Sequence, residues 1–496
     1  MNDKHIENIK KIKEMFPNCV TERFDDYGHS EQCIDFDVLK QELSDVIVKG
    51  EAERYRFTWP GKKEAILIAN IPIKKALIPY DDKSIDYYNT DNLYIEGDNL
   101  DALKLLSSEY SGRIKMIYVD PPYNSKRKLI YKDDFDIGAV SWKRLKHDGD
   151  NNGRYHIGWL NYMYPRLKLA RELLTDDGAI FLSIDDTELL NLKYICNEIF
   201  GEDNFVGQYM WYKSSAPTNM SKKIKSNVEY ILCYEKKLTN KKYKGLDKSD
   251  NSSNGMLNNN NKYITLKFPK DVVESKLPDG IYFSGTYGTP QYDIELLDDV
   301  TVKDGIIINE FRLHAKFKWS QENLIDMINT GTKIIIKTES FFPFYEKCCY
   351  DPEVPPNLID KKVNVDTVET AVKELQSLFD GVKVFDAPKP TSLMEYLINF
   401  ICEPDDIILD LFAGSATTAH AVMSLNAKDG GKRKYIMVQL PEQIDENSNV
   451  FKAGFKTISD IGTERIRRAG IKIKSENPEI ADNLDTGFRF IKITDI

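Results

Sequence analysis

From residue 92 onward, short apolar runs alternate with amphipathic stretches, a rhythm that predicts a parallel sheet with helices on both faces. The runs Asn92-Leu93-Tyr94-Ile95-Glu96 and Ile114-Lys115-Met116-Ile117-Tyr118-Val119 are expected as strands, with a helix over 100–107 between them. A helix over 165–174 and a strand Ala179-Ile180-Phe181-Leu182-Ser183-Ile184 follow, separated by the turn Asp176-Asp177-Gly178. Residues 206–212 and 228–234 read as further strands joined by a polar loop. After an interruption the rhythm returns, with a helix over 392–402, a strand over 407–411, a helix over 417–425 and a strand over 435–439. The expected fold is therefore α/β, a doubly wound and mostly parallel sheet built from two stretches of chain that flank an insert.

The interruption has its own character. Residues 238–262 are polar and poor in large apolar side chains, which predicts a flexible loop. Residues 263–383 mix aromatics, glycines and short strands such as Lys333-Ile334-Ile335-Ile336-Lys337. The expected organisation is a helical amino-terminal extension at 1–80, sheet halves at 81–237 and 385–496, and an inserted α+β domain at 238–384. A chain of 496 residues is longer than one core usually organises, which agrees with two or three domains.

Composition excludes more than it names. Hydrophobic residues at 41% and charged residues at 29% are ordinary globular values. No apolar run approaches the ~20 residues that span a bilayer, and residues 1–16 lack a signal peptide's apolar middle, so no membrane contact and a cytoplasmic location are expected. Seven cysteines, odd in number and without CxxC spacing, argue against a disulfide framework or a zinc site, and no metal is expected. A net charge of −10 counts against indiscriminate coating of nucleic acid. The basic clusters Lys222-Lys223-Ile224-Lys225, Lys236-Lys237, Lys241-Lys242 and Arg465-Ile466-Arg467-Arg468 each read as solvated faces.

Chemistry enters at Asp120-Pro121-Pro122-Tyr123, just past the end of an expected buried strand, where doubly wound sheets open their ligand crevice. An amine attached to an aromatic base is a poor nucleophile because its lone pair is delocalised into the ring. A carboxylate and a backbone carbonyl that accept both amine hydrogens draw the nitrogen toward tetrahedral geometry and aim the lone pair outward. Asp120 supplies the first acceptor and the Pro121 carbonyl the second, while Pro121 and Pro122 fix φ and hold both in place. Tyr123 offers a flat face to a base extruded from a duplex. A capped strand end explains the Asp-Pro pair but not the whole string.

A second strand-to-helix turn lies at Asp410-Leu411-Phe412-Ala413-Gly414-Ser415-Ala416-Thr417-Thr418. Its glycine lets backbone approach a ligand, and the following helix start favours polar or anionic groups. The dinucleotide pattern GxGxxG is absent, so a nicotinamide oxidoreductase has only this turn in its favour and leaves Asp120–Tyr123 unexplained. Glu442, after the next strand, can hold the two hydroxyls of a ribose, or can serve as a helix-start charge.

With these pieces in place the chain resembles the β-class DNA amino-methyltransferases, and within them the modification subunits of type III restriction-modification systems. In that class a DPPY motif precedes an FxGxG motif, with target recognition between them, and Asp120 precedes Phe412 in this order. Further likeness lies in Trp59-Pro60-Gly61-Lys62, Gly97-Asp98-Asn99-Leu100, Tyr164-Pro165-Arg166-Leu167, Glu229-Tyr230-Ile231-Leu232, Lys389-Pro390 and Gly462-Thr463-Glu464-Arg465-Ile466. The resemblance implies a seven-stranded Rossmann-like methyltransferase sheet, S-adenosylmethionine as cofactor, and a target-recognition role for the insert. It implies that Asp120, Pro121, Pro122 and Tyr123 are catalytic, with Asp120 also beside the cofactor. Asp410, Phe412, Gly414, Ser415 and Thr417 would line the cofactor pocket, Glu442 would bind the ribose and Asp98 would lie near the adenine. Lys389 and Pro390 would begin the helix that closes over the methionine end. Ala416 departs from the pattern, standing where the family has its second glycine.

The expected activity is methylation of adenine N6 in double-stranded DNA. Cytosine N4 is the neighbouring alternative in the same chemistry, and a non-catalytic DNA-specificity subunit is an alternative of another class. No GxxxxGK[ST] phosphate loop is present, so ATP-driven translocation and cleavage would belong to a separate restriction subunit. The resemblance also implies a homodimer.

Overall fold

The computed structural model describes residues 3–24, 30–44, 57–125, 154–215, 223–246, 253–347 and 352–496. The chain forms two compact units, one of residues 1–245 and 355–496 and the other of residues 246–354.

The larger unit is organised by one mixed sheet, whose strands we number β1 (Lys75–Pro79), β2 (Leu93–Glu96), β3 (Ile114–Val119), β4 (Leu174–Ile184) and β5 (Phe205–Tyr212), then β6 (Val228–Glu235), β7 (Leu358–Ile359), β8 (Ile407–Asp410), β9 (Lys434–Gln439) and β10 (Arg489–Asp495). The spatial order is β7-β5-β6-β4-β3-β8-β9-β2-β10-β1. Strands β4, β3, β8, β9, β2 and β10 run parallel, β6 is antiparallel to both of its neighbours, and β1 is an antiparallel edge. Every residue of β2 and β3 is buried, as expected of a sheet covered on both faces.

The expectation of seven strands is corrected to ten among the described residues. All seven strands read from the sequence are present, and β1, β7 and β10 add to them. These three escape pattern reading because β1 ends in proline, β7 has two residues, and β10 carries Arg489, Lys492 and Asp495. The expectation of a helical extension at 1–80 is also corrected, since strands occur there. Helices Asp3–Met15, Phe36–Glu42 and Lys62–Asn70 are accompanied there by an antiparallel pair, Val20–Phe24 with Ser30–Ile34, and by β1 itself.

Six helices matter below: α1 (Asn99–Tyr110), α2 (Arg154–Leu173), α3 (Leu189–Phe200), α4 (Thr391–Ile401), α5 (Thr417–Asp429) and α6 (Ile458–Glu476). Helix α2 starts well before Pro165, which lies inside it. Its buried face of Trp159, Met163, Tyr164, Leu167, Ala170 and Leu173 packs into the main core and outweighs the hydrogen bond that an internal proline forfeits. Strand β4 likewise begins at Leu174, ahead of the expected turn.

The smaller unit holds a four-stranded and a seven-stranded sheet with the helix Gln321–Asn329, and its own core includes Phe268, Phe311, Leu313 and Ile334. Its limits differ from the expected 238–384, since β7 pairs with β5 in the larger unit. Of the expected loop at 238–262, residues 247–252 lie outside the described residues, and Asn254–Gly255 forms a strand. Lys222, Cys348 and Cys349 also lie outside them. Cys19, Cys196, Cys233 and Cys402 are buried free thiols. Among the described residues, no helix is long and apolar enough to cross a membrane, and no cluster of acidic, histidine and cysteine side chains could hold a metal.

Candidate active site

Strands β3 and β8 are parallel neighbours, with Tyr118 opposite Asp410, and the Leu411 amide donates to the Tyr118 carbonyl at 3.2 Å. The chain leaves β3 toward β4 on one side and leaves β8 toward β9 on the other. A crevice therefore opens at their carboxyl ends, with Asp120–Tyr123 on one lip and the 411–417 turn on the other.

On the first lip, the Tyr123 hydroxyl lies 2.8 Å from Asp120 Oδ1 and 3.2 Å from Glu229 Oε2. Lys389 Nζ stands 2.9 Å from both carboxylate oxygens of Asp120, 3.0 Å from the Tyr123 hydroxyl and 3.3 Å from Glu229 Oε2. Lys213 Nζ completes the cluster at 3.0 Å from Glu229 Oε1. The Trp159 indole donates to the Pro122 carbonyl at 2.8 Å, and Asn124, at φ +60°, donates to Glu188 at 2.7 Å. Both anchor the string beyond what its prolines supply.

Burial pushes the Asp120 carboxyl up from its ordinary range, with Lys389 opposing the shift and Glu229 adding to it. Burial acts the same way on Glu229, but Lys389 and Lys213 overcome it and its pKa is lowered. Lys389 is pushed up to about 12, burial being outweighed by Asp120 and Glu229. The cluster thus holds a firm cation between two carboxylates, and the one most readily neutralised is Asp120.

Glu229, Lys213 and Lys389's place in this cluster were missed by sequence reasoning. The signal for Glu229 was a carboxylate near the start of a mostly apolar strand, since buried acids are rare unless paired. It meets Lys213 because the antiparallel pairing of β5 with β6 sets Trp211 opposite Glu229 and continues through the Lys213 amide bond to the Asn227 carbonyl at 2.9 Å. Lys389 was expected at the methionine end of a cofactor. Its ammonium lies against Asp120 and Glu229.

On the second lip, Asp410 is committed to shaping the turn. Its oxygens accept from the Phe412 amide at 3.1 Å and the Thr418 hydroxyl at 2.5 Å. Gln439, at the end of β9, accepts from the Gly414 amide at 2.7 Å. Burial raises Asp410 to about 7. The fold therefore favours its neutral form, a contribution present in full below the ordinary carboxylate range and lost as the pH rises through about 7. Asp410→Asn is expected to flatten the fall in thermal midpoint between about pH 4 and pH 7. A fall as steep as that of the unsubstituted chain would contradict this.

Gly414 and Ala416 both adopt left-handed backbone, at φ +51° and +60°. Ala416 is fully buried and sits at the start of α5. Its conformation explains why a glycine suits this position. A left-handed alanine costs about 1–2 kcal/mol, partly offset by glycine's greater unfolded-state entropy, so Ala416→Gly should stabilise the fold by about 0.5 kcal/mol. Chemical denaturation with an unchanged or lowered midpoint would contradict the strain.

Asp98 caps α1 through the Leu100 amide at 2.8 Å and is gripped by Arg166 Nη2 at 3.1 and 2.9 Å. The Arg166 guanidinium stacks 3.5 Å over the Tyr162 ring and also donates to Asn99, whose amide reaches the Leu411 carbonyl at 3.2 Å. Glu442 is half-buried, and its carbonyl accepts from Ile458 at 3.1 Å at the start of α6.

Comparison with known proteins joins this geometry to a family. Residues 114–449 match the N6/N4 family model described as DNA methylase. The chain belongs to the DNA methylase family. It is 35% identical to the type III restriction-modification enzyme StyLTI Mod subunit of Salmonella typhimurium, over 81% of this chain and 60% of that one. It is 32% identical to the EcoP15I Mod subunit of Escherichia coli, over 97% of this chain and 76% of that one. Among solved structures, PvuII DNA methyltransferase (cytosine-N4-specific) aligns at TM-score 0.35 and 14% identity, over 76% of this chain and 93% of that chain. The matched region of this methylase contains both lips of the crevice.

Proposed function

We propose that this chain transfers the methyl group of S-adenosylmethionine to the N6 amine of an adenine flipped out of duplex DNA, as the modification subunit of a type III system. The observation that carries the reading is the Asp120 carboxylate, held at the mouth of the crevice by Tyr123 and Lys389, facing a glycine turn at a helix start. Family membership sets the reaction class, and aspartate at position 120 favours adenine by the family resemblance.

The residues present fit the cofactor. The two left-handed positions of the turn and the free end of α5 form a cradle for a polar group. Asp98, Asp410, Phe412, Gly414, Ser415, Thr417 and Glu442 would hold S-adenosylmethionine, which when bound supplies an electrophilic methyl group. Because Asp410 and Asp98 are engaged with the backbone around them, we assign them to shaping that pocket.

The chain's own residues handle the amine. Asp120 and the Pro121 carbonyl accept its two hydrogens, and Tyr123, its hydroxyl fixed between Asp120 and Glu229, presents its ring to the base. In the structure the Lys389 ammonium occupies the Asp120 oxygens that the amine needs. The incoming amine displaces it toward Glu229, which already shares it. No general base acts before transfer, and the product sheds a proton afterwards. Catalysis comes mainly from positioning.

Double-stranded DNA, a second copy of the chain and an ATPase/nuclease subunit complete the proposed partners. Labelled methyl transfer from S-adenosylmethionine tests the reading: duplex DNA should accept the label, and transfer confined to RNA or protein would defeat it.

A further inference from the structure

The string Gly462-Thr463-Glu464-Arg465-Ile466 takes no part in the chemistry above, yet it buries a charge. Arg465, on α6, is fully buried. Its guanidinium donates from Nη1 to Ser415 Oγ at 3.0 Å and to Thr417 Oγ1 at 2.7 Å, and from Nη2 to Thr391 Oγ1 at 3.1 Å. Nη2 also meets His420 Nδ1 at 3.4 Å. Burial first, then the guanidinium itself, hold His420 neutral, so this nitrogen can accept. Glu374 stands off at 3.8 Å, and Arg465 Nε has no hydrogen-bond partner among the described residues. Burial lowers the Arg465 pKa to about 10, which leaves it charged at neutral pH.

A buried charge ordinarily lies against an opposite charge at contact distance. Here hydroxyls do most of the work, and they belong to the cofactor turn and the start of α4. Close approach of α6 is made possible by Gly462, where a Cβ would lie 2.6 Å from the Tyr94 hydroxyl and 3.3 Å from the Gly414 carbonyl. Because arginine only donates, it occupies acceptor lone pairs on Ser415 and Thr417. Thr417 passes its hydrogen to the Lys389 carbonyl at 3.2 Å, and the Ser415 hydroxyl is left with a long 3.4 Å contact to Thr417. The Ser415 hydroxyl is thereby biased toward donating its hydrogen, and the positive end of α5 adds to the same bias.

We propose that Arg465 is a positioning residue that makes the 414–417 turn selective for a carboxylate, so that it recognises the amino-acid end of the methyl donor and not its adenosine. This rests on reading the turn as part of the cofactor pocket.

Calorimetric titration of the full chain with S-adenosylhomocysteine, which carries the carboxylate, and with 5′-methylthioadenosine, which lacks the amino-acid end, tests it. Arg465→Met should weaken S-adenosylhomocysteine roughly 10- to 100-fold and change methylthioadenosine by less than about twofold. Arg465→Lys, which keeps the charge but not the fork, should fall between. Ser415→Ala, which leaves Arg465 in place, should reproduce the selective loss and carries the test if the arginine variants do not fold. Equal weakening of both ligands, or none, in Arg465→Met and Ser415→Ala overturns the role of Arg465 alone. Failure of the unsubstituted chain to bind either ligand overturns the cofactor reading along with it.

Discussion

Asp120→Ala lowers the rate of methyl transfer by on the order of 10³-fold or more and leaves the affinity for S-adenosylhomocysteine nearly unchanged. The size follows from the role: Asp120 is the charged acceptor for the amine, in a crevice where burial already raises its pKa, and water cannot reproduce its fixed position. Affinity is spared because the 411–417 turn is shaped by Asp410 and Gln439, which do not depend on Asp120. Asp120→Asn separates charge from shape, since one amide oxygen can still accept while the amide nitrogen faces Lys389 as a donor. It should be nearly as inactive. Single-turnover rates with a saturating methyl donor are the measurement, and substantial turnover in Asp120→Ala would remove this residue from the chemistry.

Lys389→Met produces the second large effect. Lys389 is the main charge holding the Asp120 pKa down against burial and Glu229. Without it the Asp120 pKa is raised further, and the protonated carboxyl is a weaker acceptor for the amine hydrogen. The rate near neutral pH should fall by on the order of 10²-fold and recover as the pH rises, moving the acid limb of the kcat profile upward. Affinity for S-adenosylhomocysteine should change little. An affinity loss with an unmoved profile would return Lys389 to the cofactor end, where the family resemblance had placed it.

Both predictions depend on features of different visibility in the sequence. The buried strands were readable because β3 and β8 are short apolar runs ending in chemistry-bearing residues, and the Asp120–Tyr123 string stands out at such an end. The edge strand β1 and its neighbour β10 were not, because an edge strand buries less and tolerates proline, and β10 carries Arg489, Lys492 and Asp495 among its apolar residues. Pro165 misled for a related reason: a local helix breaker was overruled by the tertiary packing of α2.

Within the site, legibility tracked locality. Asp120 and Tyr123 are three positions apart and their pairing is a property of one turn. Glu229 and Lys213 are joined only through the register of β5 on β6, and Arg465 reaches Ser415 and Thr417 only through the packing of α6 on the turn. The family string around Arg465 drew notice to it, but nothing in the spacing of its residues announced a fully buried guanidinium. Ala416 was the reverse case: a departure from pattern was visible in the sequence, and its backbone conformation supplied the meaning.

The central claim is tested most directly by the modified base itself. Duplex DNA incubated with the chain and S-adenosylmethionine, digested to nucleosides and resolved by mass, should contain N6-methyladenine with the unsubstituted chain and none with Asp120→Ala. N4-methylcytosine in its place, or no methylated nucleoside from protein that binds S-adenosylmethionine, would contradict the account.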